Sequence, residues 1–245
     1  PLVLAAAGSP VTVVEFLIEK GASLDLAATC DDVGMVPKGS TALHVAASQD
    51  RIEVVEALLL AGARPNVSDG LGWTPLMMST RSEEKDNQAA IARALLLHGA
   101  DPMARDFSGA LALHHAAGRG SVEVVDLLVA TVPSSLNLPT ANGATALYLA
   151  ATTSGLDRVV SHLLSLGATN RAVLGNGSCP LTGAVHYNLH SMVRVVLEQG
   201  WDAVGGAAAL PRAIHLAAIK NLPRTLWLLL NAEGARGPRE EEEDT

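Results

Sequence analysis

Seven short apolar blocks recur along this 245-residue chain at nearly constant spacing, and that period constrains its fold more than any other feature. The blocks start at Pro1, Ala42, Pro75, Ala112, Ala146, Pro180 and Ala213, at intervals of 41, 33, 37, 34, 34 and 33 residues. A second apolar block follows each start, as in VVEALLLAGA, IARALLLHGA and VVSHLLSLGA. Extra residues fall in two places only, ATCDDVGMVPK before Ser40 and SEEKDNQ inside the third copy. An array that tolerates insertions in its connections but not in its packed segments is a solenoid.

Each block has the chemistry of a helix. Thr41, Thr74 and Thr145 stand where an N-cap oxygen is needed, and Pro75 and Pro180 occupy first helical positions, where a missing N–H costs nothing. Eight residues after each start comes Ser9, Asp50, Gly120, Ser154, Asn188 or Asn221, the residue types of a tight helix–helix turn. Gly21, Gly62, Gly99, Gly167 and Gly200 close the second helices at the position that favours a left-handed backbone. Val54, Val55, Leu58 and Leu59 recur at helical spacing and predict one apolar face. One helix pair has too few large side chains to offset the entropy of ordering its backbone, so neighbours must share a core. The alanine pairs at 46–47, 116–117 and 150–151 let first helices approach closely.

Composition agrees. Hydrophobic residues make up 49% of the chain but aromatics only 3%, so the core is built from Ala, Leu and Val. A net charge of −8 argues against a general attraction to nucleic acid or anionic membrane. No apolar run approaches the roughly 20 residues of a membrane span. Cys30 and Cys179 lie far apart without metal-ligand spacing and read as reduced structural thiols. Pro1 is not a natural start, which is consistent with a segment of a longer protein.

The motifs STALHVAA at 40–47, WTPLMMST at 73–80, LALHHAA at 111–117, ATALYLAA at 144–151 and RAIHLAA at 212–218 carry a family likeness. So do the connections GARPNVSDGLG and GADPMARDFSG. The units resemble ankyrin repeats, whose hallmark is T-P-L-H-x-A followed by a helix pair and G-A-D-x-N. The resemblance implies an all-α, ankyrin-type solenoid of about seven helix–turn–helix–hairpin repeats over residues 1–234, the first incomplete. An acidic tail over 235–245 is expected to be disordered. The sixth copy lacks the motif histidine, and the seventh lacks the glycine before its motif.

Catalytic readings find no support. His44, His114 and His215 share the third position of a helix, where a side chain can reach back to the cap as in a capping box. The adjacent pair His114 and His115 makes a poor chelate, and His186 and His190 straddle a turn with no carboxylate or thiol nearby in sequence. GNGSCPLTG is not a nucleophile elbow, and no phosphate-binding loop motif occurs. The chain is therefore expected not to be an enzyme, and no cofactor or metal is expected.

By the resemblance, first helices and hairpin tips line a concave surface that binds a protein or peptide partner. The third and fourth units break the repeat most, with Leu71, Trp73, Arg81, Ser82 and His98, then Phe107, Ser108 and Arg119. Two aromatics at successive tips with arginines nearby have the composition of an interface hot spot, although both rings could instead pack locally over adjacent tips. Asn142, Thr152 and His186 stand at corresponding places in later units. Trp227 takes a position that is charged in five other copies and is expected to face outward. The expectation is a monomeric scaffold or adaptor of the cytoplasm, or also the nucleus, that binds no nucleic acid and does not insert into membrane. The alternative is a regulatory or targeting segment of a larger enzyme, ligase adaptor or channel.

Overall fold

The computed structural model describes residues 1–29, 38–82, 85–169, 178–199 and 206–234. Cys30, Gly200 and the acidic tail lie outside the described residues. The chain clusters into two compact units, Pro1–Asn142 and Gly143–Thr245. The first holds α1 (Leu2–Gly8), α2 (Val11–Glu19), α3 (Ala42–Ser48), α4 (Ile52–Leu60), α5 (Pro75–Ser79), α6 (Lys85–Leu97), α7 (Ala112–Arg119) and α8 (Val122–Thr131). The second holds α9 (Ala146–Ala151), α10 (Asp157–Ser165), α11 (Pro180–His186), α12 (His190–Gln199), α13 (Gly206–Ile219) and α14 (Pro223–Gly234). No strand occurs among the described residues.

Stacking follows two rows within each unit. In the first, α1, α3, α5 and α7 pack in succession, and α2, α4, α6 and α8 form a parallel row. In the second, α9, α11 and α13 make one row, and α10, α12 and α14 the other. Ala46, Ala47, Ala116, Ala117, Ala150 and Ala151 are completely buried in the first-helix rows, so their small size sets the spacing between helices. Leu58, Leu95, Leu128 and Leu163 fill the space between rows.

Local chemistry fixes the ends of the helices. The helices that sequence places at Ala42, Pro75, Ala112, Ala146 and Pro180 start there. Asp50, Gly120, Asn188 and Asn221 adopt the left-handed backbone at the inter-helix turns, with φ of 60°, 82°, 57° and 53°. In the fifth copy Gly155 takes this role, one residue beyond Ser154. Each Gly-Ala pair after a second helix closes a Schellman motif: Gly62 N–H donates to Leu59 O at 3.0 Å and Ala63 N–H to Leu58 O at 2.9 Å. The same pair of bonds recurs at Gly21, Gly99 and Gly167.

The seventh copy departs from expectation. Helix α13 begins at Gly206, seven residues before Ala213, and contains Pro211. The alanine-rich run ahead of the motif is a good helix former, and the proline removes only one backbone bond near the start. His215 consequently lies in the helix interior, exposed, rather than at a cap.

Candidate functional site

The hairpin tips of the first unit are built on carboxylates. Asp106 is buried, and its Oδ1 accepts from Ser108 N–H at 2.8 Å, Ala110 N–H at 2.9 Å and the Ser108 hydroxyl at 2.6 Å. Asp69 does the same one unit earlier, accepting from Leu71 N–H at 2.8 Å and Trp73 N–H at 2.9 Å. Successive tips are then joined backbone to backbone. Gly70 N–H donates to Lys38 O at 2.7 Å, Phe107 N–H to Leu71 O at 3.3 Å, and Ala141 N–H to Ser108 O at 2.9 Å. Gly72, with φ of 80°, must be glycine, because a Cβ there would meet the Phe107 backbone nitrogen at 2.8 Å.

Histidines tie first helices to the next tip. The N–H of Thr41 donates to His44 Nδ1 at 3.1 Å, so that nitrogen is unprotonated, and Nε2–H donates to Trp73 O at 3.0 Å. His114 repeats the clasp, accepting from Leu111 N–H at 3.0 Å and donating to Leu138 O at 2.9 Å. Burial pushes the His44 pKa below its ordinary value, outweighing the upward pull of Trp73 O and Asp69. A neutral imidazole is what the donor–acceptor arrangement requires. The structural role that sequence gave these two residues is the one they play.

Trp73 is thus pinned through its backbone from both sides, and its ring is half-buried. The ring lies against His115, with centroids 4.2 Å apart and planes at 46°, and the Arg81 guanidinium sits 5.8 Å from its centre. His115 in turn donates from Nε2 to Asp106 Oδ2 at 2.8 Å. Burial raises the Asp106 pKa, but the bonds from Ser108, Ala110 and His115 win and hold it below the usual carboxylate value. Burial also lowers the pKa of His115 despite the carboxylate beside it. The two shifts together describe a carboxylate bonded to a neutral imidazole, not an ion pair at neutral pH.

The residues singled out from sequence therefore separate. Leu71 and Phe107 are 51% and 79% exposed at neighbouring tips, and Phe107 lies over the backbone of Gly72. Trp73 and Arg81 form one stack, and Arg119 is close enough to Arg81 to feel its charge. Ser108 is exposed beside them, serving its own tip, and Asn142 is exposed at the end of the unit. Ser82 departs from expectation: it is only 8% exposed, its hydroxyl donates to Asp50, and its carbonyl accepts from Gln88. His98 is exposed at the end of α6, its ring bonded back to Ala94 O at 2.9 Å rather than to any tip.

Thr152 and His186 belong to the second unit. Thr152 is half-buried against Gly183, where a Cβ would collide with its methyl group at 2.5 Å, and His186 meets Tyr187 edge to face at 5.1 Å. Cys179 is a free thiol preceding α11, 3.5 Å from the Thr182 hydroxyl. Trp227 is 66% exposed, as its position in the repeat predicts. It helps line a cavity of about 350 Å³ with His190, Pro223, Arg224 and Leu228. Among the described residues no three His, Cys, Asp or Glu side chains converge to hold a metal, and no helix is long and apolar enough to cross a membrane.

Sequence reasoning missed the tip carboxylates, although a signal was present. Asp69 and Asp106 each stand six residues before a helix start, in SDGLG and RDFSG. It also missed Gln88, which donates to Thr80 O and accepts from Ser121, and so links the inter-helix connections of neighbouring copies.

Comparison with known proteins agrees with this architecture. A family model described as ankyrin repeats, in 3 copies, matches residues 2–106 and 84–173. The B-cell lymphoma 3 protein homolog of Mus musculus is 31% identical over 215 residues, which cover 84% of this chain and 47% of that protein. NF-kappa-B inhibitor alpha of Mus musculus is 34% identical over 139 residues, 53% of this chain and 43% of that one. A solved ankyrin repeat domain from Acinetobacter baumannii AYE superposes with a TM-score of 0.64 at 29% identity, covering 82% of this chain and 97% of its own. The chain spans about half the length, or less, of these curated relatives.

Proposed function

The chain belongs to the ankyrin-repeat family, a family of protein-interaction modules, and on that premise we propose that it holds a protein or peptide partner on the tips and first helices of its 1–142 unit. The observation that carries this reading is the exposed apolar pair Leu71 and Phe107, set side by side by a backbone bond between tips. Single exposed apolar side chains are ordinary, but apolar side chains that adjoin one another in the open mark interaction sites. The surface beneath is pre-formed: Asp69, Asp106 and His44 fix the tip backbones before any partner arrives. Binding to such a surface avoids most of the ordering cost.

The scaffold does no chemistry in this reading. The neutral imidazole–carboxylate pair of His115 and Asp106 resembles half of a catalytic triad, but both groups are committed to structure, and the hydroxyl beside them, that of Ser108, donates to Asp106 as part of the tip. One relative is by its name an inhibitor of NF-kappa-B, which sets a precedent for regulation by occupying a protein partner. Because the chain covers only part of its relatives, a role as the targeting segment of a larger protein fits the same surface.

The test is affinity purification from cell extract with the wild-type chain and with Leu71→Ser/Phe107→Ser, each checked by circular dichroism. Proteins retained by the wild type and lost from the folded double variant support the reading. An identical set retained by both removes the tips from the interface.

A further inference from the structure

The seventh copy is a basic stretch in an acidic chain. From Gly206 to Ala232 it carries Arg212, Lys220 and Arg224 and not one Asp or Glu, although the whole chain has 25 acids to 17 Lys and Arg. Its second helix, α14, also turns apolar side chains outward. Trp227 is 66% exposed, and Leu230, three residues on along the same face, is 48% exposed. Five other copies put a charge where Trp227 stands. Apolar side chains that adjoin one another in this way mark a surface that something covers.

Beside Trp227 the surface is hollow. The cavity of about 350 Å³ that it lines with Leu228 shares His190, Pro223 and Arg224 with a second of about 320 Å³, which Asn188, Leu222 and Thr225 complete. The groove is apolar at its Trp227 end and polar at the other. His190 Nδ1 lies 3.5 Å from the Thr225 hydroxyl, which leaves Nε2 for another partner. Arg224 is exposed and makes no hydrogen bond or ion pair with any described residue. On α12, Glu198 is eight residues from His190, roughly 12 Å at about 1.5 Å per residue. Asp157, one copy earlier, accepts from the Ser191 hydroxyl at 3.3 Å. We propose that this chain's own acidic run, Glu240 to Asp244, returns along α14 and seats its carboxylates on Arg224 and His190, with Arg239 laid over the Trp227 indole.

The reach is right for it. Trp227 stands seven residues before Gly234 and Arg224 ten, about 10 Å and about 15 Å along the helix at about 1.5 Å per residue. The reversal takes three or four residues, and Gly237 and Pro238 are turn formers at that place. An extended chain then covers about 3.3 Å per residue, so Arg239 to Glu241 pass Trp227 and Glu241 to Glu243 arrive at Arg224. Forked guanidinium donors match carboxylates, and an arginine over an indole face gains a cation–π contact. Exposed ion pairs are weak singly, but a tethered run meets the groove at millimolar effective concentration and offers several interchangeable acids. The contact therefore needs no fold in the tail, in keeping with a run of like charges. An acidic segment of another protein reaches this groove only by displacing the run already attached.

The experiment is fluorine NMR of the full chain labelled with 5-fluorotryptophan, the Trp227 resonance being assigned by its loss in Trp227→Phe. Changing Glu240, Glu241, Glu242 and Glu243 together to Gln should shift that resonance and leave the Trp73 resonance, which reports the other unit, in place. Sodium chloride at about 0.5 M should move wild type toward the position of the four-glutamine variant, because it screens exposed charges. In an Arg224→Gln background the same four changes should no longer shift Trp227. A synthetic peptide of residues 235–245, added to the four-glutamine variant, should restore the wild-type position, and its all-amide copy should not. A Trp227 resonance unmoved by the four changes overturns the contact, as does a shift that persists in full with Arg224→Gln. A resonance that answers to Asp202→Asn instead of the tail gives the arginine to that acid, and one that answers to protein concentration instead gives the groove to a second copy; either overturns the proposal. The tip surface of the 1–142 unit stands or falls separately.

Discussion

Replacing Asp106 by alanine should destabilise the first unit without touching a helix. The carboxylate accepts two backbone N–H bonds, one hydroxyl and the His115 ring. Ser108 is exposed and can turn to water, so its loss is small. Ala110 is buried, and leaving its N–H unpaired costs about 1–3 kcal/mol. Losing the charge-assisted bond from His115 adds about 1–2 kcal/mol, offset in part by the relief of a buried charge. The net is roughly 2–4 kcal/mol, which for a chain of this size lowers Tm by roughly 5–15 °C. Asp106→Asn separates the parts, since its Oδ1 still accepts at the tip and its amide can donate to His115 after a tautomer switch, so it should cost less than half as much. Thermal melts by far-UV circular dichroism read both. An alanine variant melting within about 1 °C of wild type, or an asparagine variant as damaged as alanine, would refute the idea that the carboxylate builds the tip.

Truncating the two tip aromatics should give opposite stability results. Phe107→Ala removes a ring that is 79% exposed and should change stability by under about 0.5 kcal/mol, whereas Trp73→Ala empties a half-buried stack and should cost about 1–3 kcal/mol, both by urea titration. Gly72→Ala forces a side chain into a left-handed backbone and against the Phe107 nitrogen, costing roughly 1–3 kcal/mol in the same assay. Stability should also fall in mild acid. His44 has a folded pKa below its ordinary 6.5, so the unfolded chain binds the proton more readily. Its contribution is complete above 6.5 and drains as pH falls from there through the folded value. His44→Gln keeps an acceptor at the capping-box position and should flatten that acid limb; an unchanged pH profile would exclude His44 as its source.

Much of the fold could be read from local chemistry. Helix starts at Ala42, Pro75, Ala146 and Pro180 follow from a cap or proline at fixed spacing, that at Ala112, after Leu111, from the spacing alone, and the Gly-Ala closures follow from the left-handed backbone that glycine permits. These are decisions taken within four or five residues, so a single sequence carries them. The start of α13 escaped because an alanine-rich run and Pro211 give conflicting local signals, and packing settles the boundary.

The candidate surface was legible as composition but not as arrangement. Sequence by itself determined that the chain is a stack of helix pairs and that Trp73, Phe107, Arg81 and Arg119 break its repeat. Only the tertiary structure decided that Phe107 lies open while Trp73 is held between His115 and Arg81, that Ser82 is inside, and that Asp106 is structural. The reason is reach. A repeat period fixes each backbone relative to its own copy, but what a side chain touches depends on the neighbouring copy, and that neighbour arrives only when the stack closes.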